Sequence, residues 1–244
     1  FVASTKDYLL VFTDQGQVHW LKVYEIPQGS KQSKGKAVVN LLELKADAKI
    51  SSTIPVREFS ADKFLVMVTK LGQIKKTQLD AYSNPRKGGI IGITLEKDDE
   101  LIGVQLTDGK KELLIGTRQG KAVHFPETLV RDMGRSAKGV RAISLAKKDE
   151  VISMIIAEKD STVLTVTELG FAKRTPVKEY RLTNRGGKGI INIKVTTKNG
   201  DAVGLKAVSD NDELMVITQN GIFLRCAIKD IRTTGRAAQG VRLI

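Results

Sequence analysis

The run Leu113-Leu114-Ile115-Gly116-Thr117-Arg118-Gln119-Gly120 contains the pattern that decides the fold, an apolar stretch followed by Thr-x-x-Gly. The chain of 244 residues repeats this pattern five times, with the Thr-x-x-Gly at residues 13–16, 69–72, 117–120, 167–170 and 218–221. Glycine adopts the positive φ angles of tight turns at little steric cost. Each Thr-x-x-Gly therefore predicts a β-hairpin turn between two strands.

A second glycine follows each turn glycine at a nearly fixed distance. These second glycines are Gly35, Gly89, Gly139, Gly189 and Gly240, at offsets of 19, 17, 19, 19 and 19 residues. Each opens another β-type run, and a further apolar run leads into the next unit. Four short strands in about 50 residues are typical of a propeller blade. The sequence thus predicts an all-β, propeller-like fold of four-stranded blades.

The repeat also predicts the organisation of the chain. We expect a single domain over residues 1–244, with units of approximately 1–50, 51–100, 101–150, 151–200 and 201–244. The segment between the hairpin and the second glycine has room for one helical turn at most, for example over residues 126–131. Five nearly complete units and one further blade would make a ring of six.

Composition excludes several protein classes. Because there is one cysteine, Cys226, no intramolecular disulfide framework or cysteine-based zinc site is expected, and a reducing, cytoplasmic setting is favoured. No run of about 18 apolar residues predicts a membrane span. Forty Lys and Arg residues against 27 Asp and Glu give a net charge of +13, which points to a polyanionic partner such as nucleic acid.

The basic residues recur in register, in or beside the segment that precedes each second glycine. Because equivalent positions of a blade repeat in space, this recurrence predicts a belt of positive charge, and the Gly-rich segments would let backbone approach a phosphate closely. The predicted DNA-binding residues are Lys31, Lys34, Lys36, Arg86, Lys87, Arg131, Arg135, Lys138, Arg141, Lys173, Arg174, Lys178, Arg181, Arg185, Gly186, Gly187, Lys188, Gly189, Arg232, Arg236 and Arg242.

The form of nucleic acid follows from the aromatic content. Single-strand binders use aromatic side chains as stacking platforms. Aromatic residues make up 5% of this chain, and the basic segments hold Tyr82 and Tyr180. We therefore expect duplex DNA, bound through its phosphates with little sequence preference and strong salt dependence.

Catalytic motifs are missing from the sequence. The Gly-rich segments differ from a phosphate-binding P-loop because Lys138 and Lys188 precede glycine rather than Ser or Thr. His19 and His124 are far apart and are expected to be ordinary packed or surface side chains. We predict no catalytic residue, no metal ligand and no cofactor in this domain. A propeller that serves as a scaffold for protein interactions remains an alternative.

Several stretches resemble one family, the C-terminal domain of the DNA gyrase A subunit, and its relative in topoisomerase IV. The resemblance covers essentially the whole chain. The residues that carry it are Phe12-Thr13-x-x-Gly16, Leu21–Pro27, Lys34-Gly35 with Val38–Leu42, Glu100–Val104, Gly139–Ile143, Gly189–Val195 with Asn199-Gly200, and Gly235-Arg236-x-x-Gln239-Gly240-Val241.

The resemblance implies a β-pinwheel, in which blades exchange strands and a basic rim bends and chirally wraps duplex DNA. It implies a role in negative supercoiling by a bacterial, nucleoid-associated enzyme, whose cleavage centre and use of ATP and Mg lie elsewhere. The implied partners are duplex DNA, the B subunit, and the rest of the A subunit, with no membrane. The isolated domain is expected to be a monomer.

One family motif is incomplete here. The gyrase family carries a Gln-Arg-Arg-Gly-Gly-Lys-Gly box in its first blade, and the resemblance places that box upstream of Phe1. Its nearest match is residues 183–189, identical at five of seven positions, in the fourth unit. The sequence alone therefore leaves topoisomerase IV open as an alternative to gyrase.

Overall fold

The computed structural model describes residues 2–30 and 32–244, and this part of the chain is built from strands and short 3-10 helices, without an α-helix. The strands are β1 (Tyr8–Thr13), β2 (Gln17–Lys22), β3 (Ile50–Val56), β4 (Phe64–Thr69), β5 (Gln73–Gln78), β6 (Ile90–Ile91), β7 (Leu101–Thr107), β8 (Glu112–Thr117), β9 (Lys121–Pro126), β10 (Val140–Arg141), β11 (Val151–Ile156), β12 (Thr162–Thr167), β13 (Phe171–Pro176), β14 (Ile190–Ile191), β15 (Ala202–Val208), β16 (Glu213–Ile217), β17 (Phe223–Ala227) and β18 (Val241–Arg242). The 3-10 helices are Val23–Glu25, Val38–Asn40, Leu79–Tyr82, Glu127–Leu129, Val177–Glu179 and Ile228–Asp230. The all-β prediction is confirmed.

All five Thr-x-x-Gly sequences form the predicted hairpin turns. In the second hairpin, the amide of Gly72 donates to Thr69 O at 3.0 Å, and the amide of Gln73 donates to Thr69 Oγ1 at 3.1 Å. Threonine thus supplies two acceptors to the turn, which explains why this residue recurs. The ten repeat glycines have φ angles between 68° and 98°, the left-handed region that favours glycine.

Within residues 2–30 and 32–244, the strands form four sheets of four strands and one of two. Their orders are β3-β1-β2-β6 (sheet 1), β10-β5-β4-β7 (sheet 2), β11-β8-β9-β14 (sheet 3), β15-β12-β13-β18 (sheet 4) and β16-β17 (sheet 5). Each four-stranded sheet therefore takes one edge strand from beyond the next hairpin along the chain. In sheet 3, for example, Ile190 of β14 pairs with Ala122 of β9. This is the strand exchange that the pinwheel resemblance implies.

The fifth repeat differs from the prediction of a nearly complete unit. Its hairpin, β16–β17, forms a two-stranded sheet, and its strand β18 pairs with β13 of sheet 4, as β6, β10 and β14 pair with the preceding sheets. Strands after the second glycines are also shorter than the apolar runs suggest. The run Val140–Leu145 forms a strand over Val140–Arg141 alone.

The chain divides into two compact units. Unit 1 comprises Phe1–Lys110 and Val130–Val140, and unit 2 comprises Lys111–Leu129 and Arg141–Ile244. In unit 1, the core includes Leu10, Phe12, Val18, Leu65, Met67, Leu79, Tyr82, Ile93 and Leu101. In unit 2, one core cluster includes Leu114, Ala122, Ile155, Val163, Val177, Tyr180 and Leu205, and a second includes Leu164, Ala172, Val208, Ile228 and Ile231. Burying each large apolar side chain contributes about 1.5–3 kcal/mol.

Neighbouring sheets inside each unit are joined by equivalent polar contacts. In unit 1, the amide of Val104 donates to Ser52 Oγ at 3.1 Å. In unit 2, the amide of Leu205 donates to Ser153 Oγ at 3.1 Å. The contact between sheets 1 and 2 thus has an equivalent between sheets 3 and 4.

Candidate nucleic-acid interface

Most of the predicted basic residues that the structure describes lie on loops that we call connectors, each running from a 3-10 helix after the hairpin to the second glycine. Lys36, Arg141 and Arg242 follow the second glycine by one or two residues. Connectors 1 to 5 are residues 23–35, 79–89, 127–139, 177–189 and 228–240. At the end of connector 3, a Cβ on Gly139 would lie 2.5 Å from Ile74 O, so the connector can approach strand β5 this closely because the residue is glycine. Gly189 and Gly240 lie nearly as close to the carbonyl oxygens of Ala122 and Ala172. The second glycines therefore let each of these connectors pack closely against the hairpin of the preceding repeat.

Most of the predicted cations are exposed. The exposed ones are Lys34, Lys36, Arg86, Lys87, Arg131, Lys138, Arg141, Lys178, Arg181, Lys188, Arg232 and Arg242. Arg135, Arg185 and Arg236 are half-buried, and Lys31 lies outside the described residues. Some exposed cations have carboxylate partners, such as Lys87 with Glu43 at 3.2 Å. Exposed pairs of this kind are worth about 0–1 kcal/mol, so a phosphate can replace the carboxylate.

Two predicted contacts need correction. Lys173 and Arg174 lie on β13, and their exposures are 0% and 5%. The guanidinium of Arg174 donates to Ile231 O at 2.8 Å and pairs with Asp210. The amine of Lys173 donates to Arg236 O at 3.0 Å. Because burial and internal partners occupy both groups, we remove them from the candidate interface.

In unit 1, two arginines from successive connectors line the same cavity. Arg86 of connector 2 and Arg135 of connector 3 line one surface cavity together with Gly89 and Ser136. Two arginines and a serine line one concave surface, beside Ile90 and Ile91, and this set of residues suits a phosphate, since arginine donates several hydrogen bonds to such an oxyanion. The sequence did not single out Ser136. The sequence feature that could have identified Ser136 is its position directly after Arg135 in the Gly134–Gly139 loop.

In unit 2, the box-like connector 4 lines a second cavity. Its lining includes His124 of β9 together with Arg181, Asn184, Gly187, Lys188 and Gly189. Asn184 is a second residue that the sequence missed, although it stands where the family box has arginine. The lining offers an ammonium, a guanidinium and an amide, a donor set that fits a phosphate.

Arg185 and Gly186 are less available in this connector than expected. The Arg185 guanidinium donates to Leu129 O and to Arg141 O, both at 3.0 Å. The amide of Gly186 donates to Ala142 O at 2.6 Å. Both residues therefore hold the loop in shape, and the exposed Gly187 and Lys188 form its outer surface.

The tyrosines of connectors 2 and 4 do not reach the surface. Tyr82 is 0% and Tyr180 is 2% exposed, and the Tyr180 hydroxyl donates to Asn192 Oδ1 at 2.5 Å. Burial raises the pKa of both phenols well above the ordinary value. Neither ring is placed to stack on an unpaired base.

The two histidines are packed as expected, with exposures of 1% for His19 and 5% for His124. His124 Nδ1 lies 2.8 Å from Tyr180 O. Burial lowers the pKa of His19, an effect that the nearby Glu43 partly offsets. Among residues 2–30 and 32–244, no three His, Cys, Asp or Glu side chains lie close enough together to hold a metal ion. Helices long and apolar enough to cross a membrane are likewise missing from this described part.

A buried lysine recurs under two connectors. Lys173 has an equivalent in Lys75 of β5, which is 0% exposed. Burial lowers the pKa of Lys75 to about 7, with a smaller contribution from the charge of Arg135. Burial likewise lowers the pKa of Lys173 to about 8, where Glu179 opposes the shift and Arg236 adds to it.

These lowered pKa values predict a pH dependence of stability. An unfolded lysine keeps its ordinary pKa of 10.5, so between about pH 7 and 10.5 the unfolded chain binds more protons than the folded one. The free energy of unfolding should therefore rise with pH in this window. Urea unfolding of Lys75→Met should show a smaller rise than the wild type. Lys97→Met, which removes an exposed lysine, should keep the full rise, and an equal rise in Lys75→Met would contradict the assignment.

Comparison with known proteins assigns the chain to a family. A family model described as "DNA gyrase C-terminal domain, beta-propeller" matches residues 7–57, 63–108, 111–158, 161–209 and 212–244. The chain is similar to the DNA gyrase A subunit of Halalkalibacterium halodurans, with 57% identity over 244 residues that cover 100% of this chain and 29% of that protein. It is 44% identical over 243 residues to the DNA gyrase A subunit of Salmonella typhimurium, covering 100% of this chain and 28% of that protein. The chain thus spans less than a third of these curated relatives.

Solved structures agree on the fold. A C-terminal domain of DNA topoisomerase IV superposes with a TM-score of 0.90 at 29% identity, covering 98% of this chain and 75% of that one. A DNA gyrase A C-terminal domain superposes with a TM-score of 0.86 at 23% identity, covering 99% and 79%, and this likeness shows the fold alone. The propeller-like prediction is thereby confirmed. Because the family model covers all five repeats and the similar curated sequences are gyrase A subunits, the chain belongs to the DNA gyrase C-terminal domain family.

Proposed function

We propose that this chain binds duplex DNA through the exposed cations of its connectors and wraps the duplex without catalysing a reaction. The observation that carries the proposal is the recurrence of exposed Lys and Arg at equivalent connector positions in both compact units. Phosphates are evenly spaced along DNA, so a repeated array of cations suits them better than it suits a single small ligand. Family membership supports the same function and favours gyrase over topoisomerase IV.

Duplex is favoured over single strands by the buried tyrosines. Non-specific single-strand binders rely on exposed aromatic rings. The connector rings of Tyr82 and Tyr180 are in the core, while Tyr24 of connector 1 is 61% exposed. Because the exposed ring belongs to one connector and the exposed cations recur in all of them, phosphate contacts remain the main source of affinity. Such contacts carry little sequence information, and binding should fall steeply as salt rises.

The wider role is part of the proposal. Bending DNA by about 40–90° costs roughly 1–6 kcal/mol over a 20–30 bp site, so contacts from several connectors are needed to offset it. We propose that residues 1–244 act as one accessory domain of a gyrase A subunit, monomeric in isolation, which works at the bacterial nucleoid together with the B subunit. ATP and Mg would serve other parts of that enzyme, with no cofactor bound by this domain.

A topology assay tests chiral wrapping. The chain is added to relaxed circular DNA, the circle is nicked and resealed, and the protein is removed. A wrap of one hand should leave a biased shift in linking number that grows with protein concentration. The same assay at high salt should remove the shift, because the phosphate contacts are screened. Tight binding with an unbiased linking number would leave DNA binding standing and refute chiral wrapping, whereas no binding would favour the protein scaffold.

A further inference from the structure

Lys75 lies beneath connector 3 and uses its amine entirely on backbone oxygens. Its Nζ donates to Arg135 O at 2.6 Å, to Gly134 O at 3.5 Å and to Gly92 O. Among the described residues, no carboxylate pairs with this amine. A buried amine needs hydrogen-bond acceptors, and here the connector backbone supplies two of the three.

Lys173 has the same arrangement beneath connector 5, in unit 2. Its Nζ donates to Arg236 O at 3.0 Å, to Gly235 O at 3.1 Å and to Thr175 Oγ1 at 2.7 Å. Both connectors contain the sequence Gly-Arg followed by a small residue and alanine, and both close a turn there. Ala137 N donates to Gly134 O at 3.1 Å, and Ala238 N donates to Gly235 O at 3.2 Å.

Other hairpins show that the fold does not need a lysine at this position. The third residue after the turn glycine is lysine in the second and fourth hairpins but Val123 in the third and Leu224 in the fifth. The connector over Val123 has Asn184 where connectors 3 and 5 have glycine. An arginine-to-backbone contact is shared by connectors 4 and 5, since Arg185 donates to Arg141 O and Arg236 donates to Ile191 O at 2.8 Å. The buried lysine therefore accompanies the Gly-Arg turn rather than the hairpin.

The direction of the carbonyl groups has a consequence for the outer surface. In a trans peptide the C=O and N–H groups point in opposite directions. Because Gly134 O and Arg135 O face the amine, the amides of Arg135 and Ser136 face away from it. Arg135 and Ser136 both line the cavity that they share with Arg86. In connector 5, the amide that is equivalent to Arg135 N already meets an anion, since Arg236 N donates to Glu179 Oε2 at 3.3 Å.

We propose that Lys75 and Lys173 are positioning residues, whose buried amines hold the Gly-Arg turns so that Arg135 and Arg236 face a DNA phosphate. The inference rests on the proposed DNA binding by the connectors. The amine acts here as a hydrogen-bond donor rather than as a charge. The protonated amine supplies one N–H to each of its three acceptors, whereas a neutral amine supplies two and loses one of these contacts.

A double-mutant cycle tests the action of Lys75 through Arg135. Duplex affinity is measured at one salt concentration for the 244-residue chain and for Lys75→Met, Arg135→Ala and the double variant. We expect losses of about fivefold, about tenfold and again about tenfold, since a positioning effect disappears once the positioned group is gone. Lys97→Met, which removes one exposed charge from unit 1, should change affinity less than about twofold. If the affinity loss of the double variant were close to the product of the two single losses, about 50-fold, the proposal would be overturned.

Amide exchange separates this inference from the function on which it rests. Lys75→Met should speed exchange in residues 131–139 at least about tenfold and leave the β4–β5 hairpin unchanged. Unchanged exchange in the connector would overturn the proposal, whatever the DNA result. If the wild-type chain bound no duplex, the proposed function would fail while the exchange result would still decide the role of Lys75. Should Lys75→Met not fold, the double-mutant cycle of Lys173→Met and Arg236→Ala in unit 2 tests the proposal by the same criterion.

Discussion

Replacing Arg86 and Arg135 together by alanine is expected to weaken duplex binding by about 100-fold. Both side chains line the same cavity of unit 1, and they come from different connectors. A hydrogen bond to a charged group contributes about 1.5 kcal/mol or more, which is roughly tenfold in affinity for each contact. The slope of log affinity against log salt should fall by about 1.8, because two fewer phosphates are neutralised.

A charge-matched variant makes this result specific. Lys97→Ala with Lys110→Ala also removes two exposed cations from unit 1 but leaves the connectors intact. Its affinity should fall less than about threefold, with nearly the wild-type salt slope. In unit 2, the connector variant is Arg181→Ala with Lys188→Ala, and its charge-matched control is Lys147→Ala with Lys159→Ala. Equal losses in connector and control variants would show that bulk charge, rather than the connectors, attracts the DNA.

The hairpins were predictable because their determinants are local. Thr69 and Gly72 lie within one turn, so the hydroxyl acceptor and the positive φ angle act across three or four residues. The exposed connector cations were predictable for a related reason. A lysine or arginine in a loop stays in water unless a neighbour compensates its burial.

The buried basic residues were not predicted, because their environment is set by distant segments. Lys173 stands in a strand, yet its amine is partnered by Gly235 and Arg236 of a later repeat. Aligning the repeats on their turn glycines would have given the signal, since Lys75 and Lys173 then occupy the position of Val123 and Leu224. Strand exchange is non-local in the same way and came from the family resemblance.

The close approach of the repeat glycines leads to the largest stability effect that we expect. Gly120 closes the third hairpin with a φ of 76°, and a Cβ there would collide with Ile193 O. Its carbonyl also accepts from the amides of Asn192 at 2.8 Å and Ile193 at 3.2 Å, so the contact cannot open without losing two hydrogen bonds. Gly120→Ala should therefore cost about 3–5 kcal/mol of unfolding free energy, from left-handed strain of about 1–2 kcal/mol and the steric conflict.

Two other glycines in unit 2 separate these two causes. Gly221 has a φ of 79° with open space where the alanine methyl group would stand, so Gly221→Ala should cost about 1–2 kcal/mol from strain alone. Gly204 lies in strand β15 without a left-handed φ, and an added methyl group would have no atom within 4 Å beyond its chain neighbours. Gly204→Ala should therefore be neutral or stabilise by up to about 1 kcal/mol. Urea unfolding of the three variants gives the order directly. If Gly120→Ala cost no more than Gly221→Ala, backbone conformation alone would explain the turn glycine, and close packing against the segment after β14 would have no part in it.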